Sequence, residues 1–160
     1  MHLDDDWPRI RAHFRGLPAC SIATVDADGS PRVTPIGSLF LRGDGTGFFL
    51  ERFTSALPAN LDRDPRLCVM AVRTGTWTWL RALARGSFRE YPAMRLHGIA
   101  GPRREAHAEE IARFARKVRL ATPLRGHRAM WRGFSHARDL TFERAEGVNL
   151  GPMTAALGSA

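Results

Sequence analysis

A chain of 160 residues, 44% apolar and 25% charged, suits one globular domain over residues 1–160 with a core of its own and is short for two. Fifteen glycines and ten prolines lie scattered between apolar runs, which excludes a disordered tract, and the longest apolar stretch, residues 67–72, is far short of the roughly 20 needed to span a bilayer. The formal charge of +8 admits nucleic acid, but Lys117 is the only lysine and the arginines are spread along the chain, so no nucleic-acid partner is expected and the charge suits a phosphorylated small ligand better.

The start, Met1-His2-Leu3-Asp4-Asp5-Asp6, is acidic where a secretory signal would be basic and then apolar; a cytoplasmic protein without a membrane span is expected. Asp4 to Asp6, Trp7 and Pro8 open a short helix with Ile10, Phe14 and Leu17 on one face, closed by Gly16. Residues 19–25, the turn Asp26-Ala27-Asp28-Gly29 and residues 32–41 read as a β-hairpin. A second turn over 42–47 and a strand over 48–50 extend it into a three-stranded meander. Thr54 and Ser55 offer an N-cap to a short helix that ends near residues 60–62, before Asp64-Pro65. Residues 67–72 read as a buried strand. Residues 76–91, with Trp77, Trp79, Leu80, Leu83, Phe88 and Tyr91, fit neither period and are taken as strand followed by irregular chain. Residues 94–100 look extended. Ile111, Phe114, Ala115 and Val118 place a helix over 105–120; a shorter helix fits 126–134, and residues 139–143 alternate as a strand. About six antiparallel strands with few helices predict a closed or nearly closed barrel of the mainly β, α+β class.

Nucleophile, P-loop and dinucleotide motifs are missing from the sequence, no paired histidines stand at metal spacing, and no metal or catalytic residue is assigned. Cys20 and Cys68 sit in apolar runs and read as buried free thiols. One place suits an anion: Glu51-Arg52-Phe53-Thr54-Ser55, where a strand end meets a helix start and amides, hydroxyls and a guanidinium could converge on a phosphate. The same residues also read as an ordinary N-cap beside a surface arginine.

Four short stretches in order resemble the pyridoxamine 5'-phosphate oxidase-like family of the FMN-binding split barrel, over roughly residues 17–143. They are Ala23-Thr24-Val25-Asp26-Ala27-Asp28-Gly29-Ser30-Pro31-Arg32-Val33-Thr34-Pro35, then Phe48-Phe49-Leu50 leading to Thr54-Ser55, then Asn60-Leu61-Asp62-Arg63-Asp64-Pro65-Arg66-Leu67, then Arg95-Leu96-His97-Gly98. The resemblance implies an antiparallel six-stranded split β-barrel with flanking helices, and FMN in a groove at a homodimer interface. It implies that Val33, Thr34, Pro35 and Ile36 face the isoalloxazine ring, and that Arg52, Thr54 and Ser55 face the phosphate, with Arg32 the next candidate cation. Many members follow the serine with Arg-Lys, and this chain has Ala56-Leu57. The arginine-rich substrate segment and the Trp-Arg-Leu-x-Pro-like ending of the true oxidase are missing as well, so pyridoxamine phosphate oxidation is not expected.

Tryptophans are core or interface filler, or cover a flavin ring from the partner subunit. Trp131, in a polar segment where an indole has no core to fill, is the candidate for the second role. Two functions follow from the resemblance. One is an FMN-dependent oxidoreductase of unknown substrate; the other is a binding or sensor module on the same barrel for a deazaflavin, haem or another ligand.

Overall fold

Two tight turns set the first strand pairs. In the computed structural model, which describes residues 3–52, 55–73, 75–131 and 133–157, the Asp26 N–H donates to the Ser30 carbonyl at 2.8 Å, and Gly29 takes a φ of 85° that favours glycine. This turn joins β1 (Cys20–Val25) to β2 (Pro31–Ile36), with Cys20 opposite Ile36. The second turn, closed by the Arg42 N–H on the Thr46 carbonyl at 2.8 Å, joins β3 (Leu39–Leu41) to β4 (Thr46–Glu51).

The expected meander does not form. The run 32–41 breaks at Gly37 and Ser38, β2 and β3 share no ladder, and the buried Ser38 hydroxyl donates to the Leu50 carbonyl of β4 at 2.8 Å. The remaining strands are β5 (Arg66–Val72), β6 (Ala93–Ala100), the two-residue β7 (Arg104–Glu105) and the long β8 (His136–Gly147). Every ladder is antiparallel, in the order β2-β1-β5-β6-β8-β4-β3, with β7 on β8. Among the described residues eight strands therefore stand where about six were expected, because one run splits in two and β7 is added. The two ends of that order, β2 and β3, are joined by only Gly37 and Ser38, so the sheet must curl until its edges meet unpaired. That is the split of a split barrel, as the sequence led us to expect.

The interior holds Ile22, Phe49, Leu67, Val69, Leu96, Leu140 and Phe142. Helix α1 (Leu3–Phe14) adds Trp7 and Ile10, and α2 (Ala56–Arg63) adds Leu57 and Leu61. Because α1 begins at Leu3, Pro8 lies inside it and not at its start. The Trp7 indole N–H donates to the Arg42 carbonyl at 2.8 Å and seats the helix against the second turn. On β6, register against β8 shifts between His97 and Gly98, and a β-carbon at Gly98 would collide with the Thr141 carbonyl oxygen. Only glycine fits that approach.

Residues 76–91 overturn the strand expectation, because α3 (Thr76–Arg85) is helical and ends at Gly86 with a φ of 76°. Its buried side is narrow. Trp79 meets Phe88 edge-on at 5.2 Å and Ala82 is buried, while Trp77, Leu80 and Leu83 face outward, Trp77 at 74% exposure. Apolar residues on both sides hide the helical period. Helix α4 (Ala108–Lys117) is shorter than 105–120, since Glu105 pairs in β7 and Arg119–Ala121 forms a 3₁₀ turn. Helix α5 (Gly126–Trp131) precedes β8, and a 3₁₀ stretch, Gly151–Leu157, follows it. No helix of the described residues is long and apolar enough to cross a membrane.

Candidate cofactor site

The end of β4 is anchored by charge. Arg138 of β8, 1% exposed, donates from Nε to Glu51 Oε1 at 2.5 Å and from Nη2 to Asp62 Oδ1 of α2 at 2.6 Å. It also reaches the Gly101 carbonyl at 3.3 Å, and Arg103 Nε donates to the other Glu51 oxygen at 2.8 Å. One guanidinium thus ties β8, the last residue of β4 and α2 together. A buried carboxylate is tolerated only when paired in this way. The sequence offered one signal for it, an acid ending the otherwise apolar run Gly47-Phe48-Phe49-Leu50-Glu51.

Arg52 follows directly, half-buried, with its Cζ 5.9 Å from the Phe134 ring centre. Its guanidinium runs along Gly133, where a β-carbon would lie 3.7 Å from it. Ser55 occupies the N-cap position of α2 in a helical conformation (φ −86°, ψ −38°), exposed, and its side chain makes no capping bond. Among the described residues no side chain caps the amides of Ala56 and Leu57, the two N–H groups at this helix start, since Pro58 has none. Thr54, expected beside them, lies outside the described residues. Of the two residues that replace the usual cations, Leu57 is buried in the core and Ala56 is half-buried.

On β2 the side chains alternate. Ile36 is buried in the core cluster and Thr34 is half-buried on that side, so of the four residues expected at the ring only Val33, 64% exposed, and Pro35 project outward. Arg32 is committed elsewhere: Nε donates to Asp26 Oδ1 at 2.7 Å and Nη2 lies 2.7 Å from Oδ2. That pairing, helped by Asn60 Nδ2 at 2.7 Å, holds the Asp26 carboxyl down to about 2. Arg32 therefore braces the hairpin. Asn60, which the sequence reading did not single out as a brace, is buried and also donates to Thr24 Oγ1 at 3.1 Å.

Trp131 has a core to fill, contrary to the sequence reading. It lies edge-on to His127 at 5.5 Å and packs with Phe134 against Phe48, Leu50, Phe114 and Ala137. Arg52 and Trp131 are thereby brought to the same Phe134 neighbourhood, and the Ser38 to Leu50 bond brings the end of β2 beside the end of β4.

The outward face of the sheet forms a second, unforeseen feature. Two cross-strand rows run over it: Pro35, Ser21, Met70, Arg95, Glu146; and Val33, Ala23, Cys68, His97, Arg144. Small side chains on β1 make it flat beside Val33 and Pro35. His97 Nε2 lies 3.0 Å from Glu146 Oε1 and 4.0 Å from Cys68 Sγ. Both contacts fall on one nitrogen, so there is no relay through the ring, and burial raises the Cys68 thiol. Burial likewise pushes the Cys20 thiol up to about 12. Among the described residues, no group of three or more His, Cys, Asp or Glu could hold a metal ion.

The family model for pyridoxamine 5'-phosphate oxidase matches residues 7–147. No curated protein matches the sequence. Solved structures that resemble the fold include an FMN-binding protein from Syntrophomonas wolfei subsp. wolfei, 13% identical over 93% of this chain and 96% of that one, with a TM-score of 0.61. The heme storage protein HutZ from Vibrio cholerae is 19% identical over 88% and 92%, with a TM-score of 0.56. An F420 reductase is 11% identical over 80% and 88%, with a TM-score of 0.53. At these identities the likeness is one of fold.

Proposed function

This chain belongs to the pyridoxamine 5'-phosphate oxidase family, and from that premise we propose that it is a cytoplasmic, homodimeric, FMN-dependent oxidoreductase acting on a small molecule other than pyridoxamine 5'-phosphate. The observation that carries the reading is the start of α2, where the Ala56 and Leu57 amides receive no capping bond from the exposed Ser55 side chain, with Arg52 three residues before Ser55 in the chain. Amides at a helix start and a guanidinium are the donors a phosphate monoester needs. Val33 and Pro35 offer an apolar edge to a flat ring, and the flat outer face beside them suits a symmetric partner.

When bound, FMN supplies hydride or electron transfer. The chain's own residues bind and orient: Arg52 and the α2 amides hold the phosphate, Arg138 fixes α2 against β4, and Trp131 and Phe134 wall the same end. Arg32, paired with Asp26, takes no part in the phosphate. Acid and base side chains are not required of this scaffold, which agrees with the lack of a catalytic constellation in the sequence.

A second reading has one observation in its favour. Leu57 faces the core and Ala56 carries no charge, so the side chains of the two positions after Ser55 add no cation to phosphate binding, which is left to their backbone amides and Arg52. A binding module for a deazaflavin or haem, without turnover, would tolerate that loss, and relatives of this fold include a heme storage protein and an F420 reductase. The two separate in one experiment: the purified protein is titrated with FMN, F420 and haemin, then given a reduced nicotinamide. A yellow complex with FMN that bleaches supports the oxidoreductase; indifference to FMN with uptake of haemin or F420 supports the binding module.

A further inference from the structure

A cavity of about 420 Å³ opens beside the split of the barrel, where the C-terminal end of α1, the loop into β1, the edge strand β3 and helix α4 leave space that no strand fills. Its size falls in the range of small-molecule sites, roughly 300 to 1,000 Å³. The lining is sharply divided. Phe14, Leu17, Ile36, Leu39 and Phe40 provide apolar wall, and among the described residues every charged one that lines it is a cation: Arg11, Arg15, Arg113 and Lys117.

Among the described residues no carboxylate neutralises these cations. None of the four forms an ion pair within 4 Å among the described residues, and the acid nearest in sequence to Arg113, Glu110, is held by Arg104 at 2.7 Å and Arg42 at 3.2 Å. Arg113 Cζ stands 4.8 Å and Lys117 Nζ 5.6 Å from the centre of the Phe40 ring, so two cations converge on one aromatic wall. Lys117 Nζ also donates to the Gly37 carbonyl at 2.7 Å, which holds its charge at the mouth. Desolvation, together with the charges of Arg11, Arg116, Arg42 and Arg15, lowers the Arg113 guanidinium. A guest anion would relieve that repulsion.

We propose that this cavity is a binding site for a small organic carboxylate with an apolar body, the chain or ring lying against Phe14 and Phe40 and the carboxylate meeting Arg15, Arg113 and Lys117. The apolar wall excludes a bare inorganic anion as the natural guest, and the one-sign rim excludes amines. The site is separate from the proposed flavin groove: Ile36 reaches it on the inward side of β2, whereas Val33 and Pro35 project from the outward side.

Octanoate, octan-1-ol, octylammonium and acetate serve as probes, titrated calorimetrically into the full-length protein with and without saturating FMN. Octanoate is expected to bind at least about tenfold more tightly than each of the other three, the size of one charge-assisted bond or of a buried alkyl chain. Arg15→Glu/Arg113→Glu, both on exposed positions, is expected to weaken octanoate about tenfold or more while the melting temperature stays within a few degrees. Equal binding of octanoate and octylammonium to the parent protein would overturn the proposal without recourse to any variant. Displacement of octanoate by FMN would overturn it too, by making the cavity part of the flavin site.

Discussion

Arg138→Met removes the guanidinium that joins three elements under the proposed phosphate site. The lost contacts are the 2.5 Å bond to Glu51 and the 2.6 Å bond to Asp62. Asp62 is 61% exposed and returns to water at little cost, but the Glu51 side chain is 2% exposed and among the described residues keeps one ion pair, to Arg103 at 2.8 Å. Breaking a buried pair from one side costs about 3 to 5 kcal/mol, and the surviving Arg103 bond places this case at about 3 kcal/mol. With an unfolding entropy of about 2.1 cal/mol/K per residue over 160 residues, the melting temperature should fall by about 9 °C. Urea unfolding followed by tryptophan fluorescence measures the loss, and Glu51→Gln added to Arg138→Met should recover more than half of it, because the stranded charge is gone. A loss below about 1 kcal/mol for Arg138→Met, or no recovery in the double variant, would refute the reasoning that Glu51 is held by this arginine.

Gly98→Ala forces a β-carbon against the Thr141 carbonyl at the register shift between β6 and β8; a loss of about 2 kcal/mol is expected in urea, and a neutral result would contradict the close approach. Asp139 is held at about 2, chiefly by its hydrogen bond to Arg104. Its folded value lies below the unfolded value of about 3.9, so its contribution is complete above about pH 4 and is lost as pH falls toward 2. For a half-exposed carboxylate, screening reduces that contribution to about 1 kcal/mol. Thermal melts between pH 4.5 and 2.5 should therefore fall more steeply for the parent than for Asp139→Asn, and parallel curves would contradict the assignment. Arg52→Ala should weaken FMN about ten- to a hundredfold and leave riboflavin almost unchanged, as read by quenching of flavin fluorescence. An equal effect on both ligands would place the phosphate elsewhere.

The antiparallel barrel was legible because its signals are local: the turn at Asp26 to Gly29 and the turn before Thr46 each fix a neighbour pair from a few residues, and a dense apolar run marks β5 as a buried strand. The break at Gly37 and Ser38 was not, since the run 32–41 continues in apolar character and only the Ser38 bond to Leu50 reveals that the chain changes sheet edge there. Helix α3 was missed because Trp77, Leu80 and Leu83 lie on its exposed side, so the apolar residues do not mark one face. Arg52 and Ser55 are proposed as phosphate ligands from a strand end meeting a helix start. The network that positions them, Glu51 with Arg138 and Asp62, joins residues 87 and 76 positions apart and leaves no local pattern. The segment of Trp131 reads as polar, yet Phe48, Leu50 and Phe114 arrive from elsewhere to give the indole its core.

In the proposed function the start of α2 and the outer edge of β2 together hold FMN in a symmetric pair of chains. Sedimentation of the purified protein with FMN, monitored at both protein and flavin wavelengths, tests it most directly. A single boundary at the mass of two chains, carrying one FMN per chain, is the predicted result. A boundary at the mass of one chain with all the flavin left free in solution would contradict it.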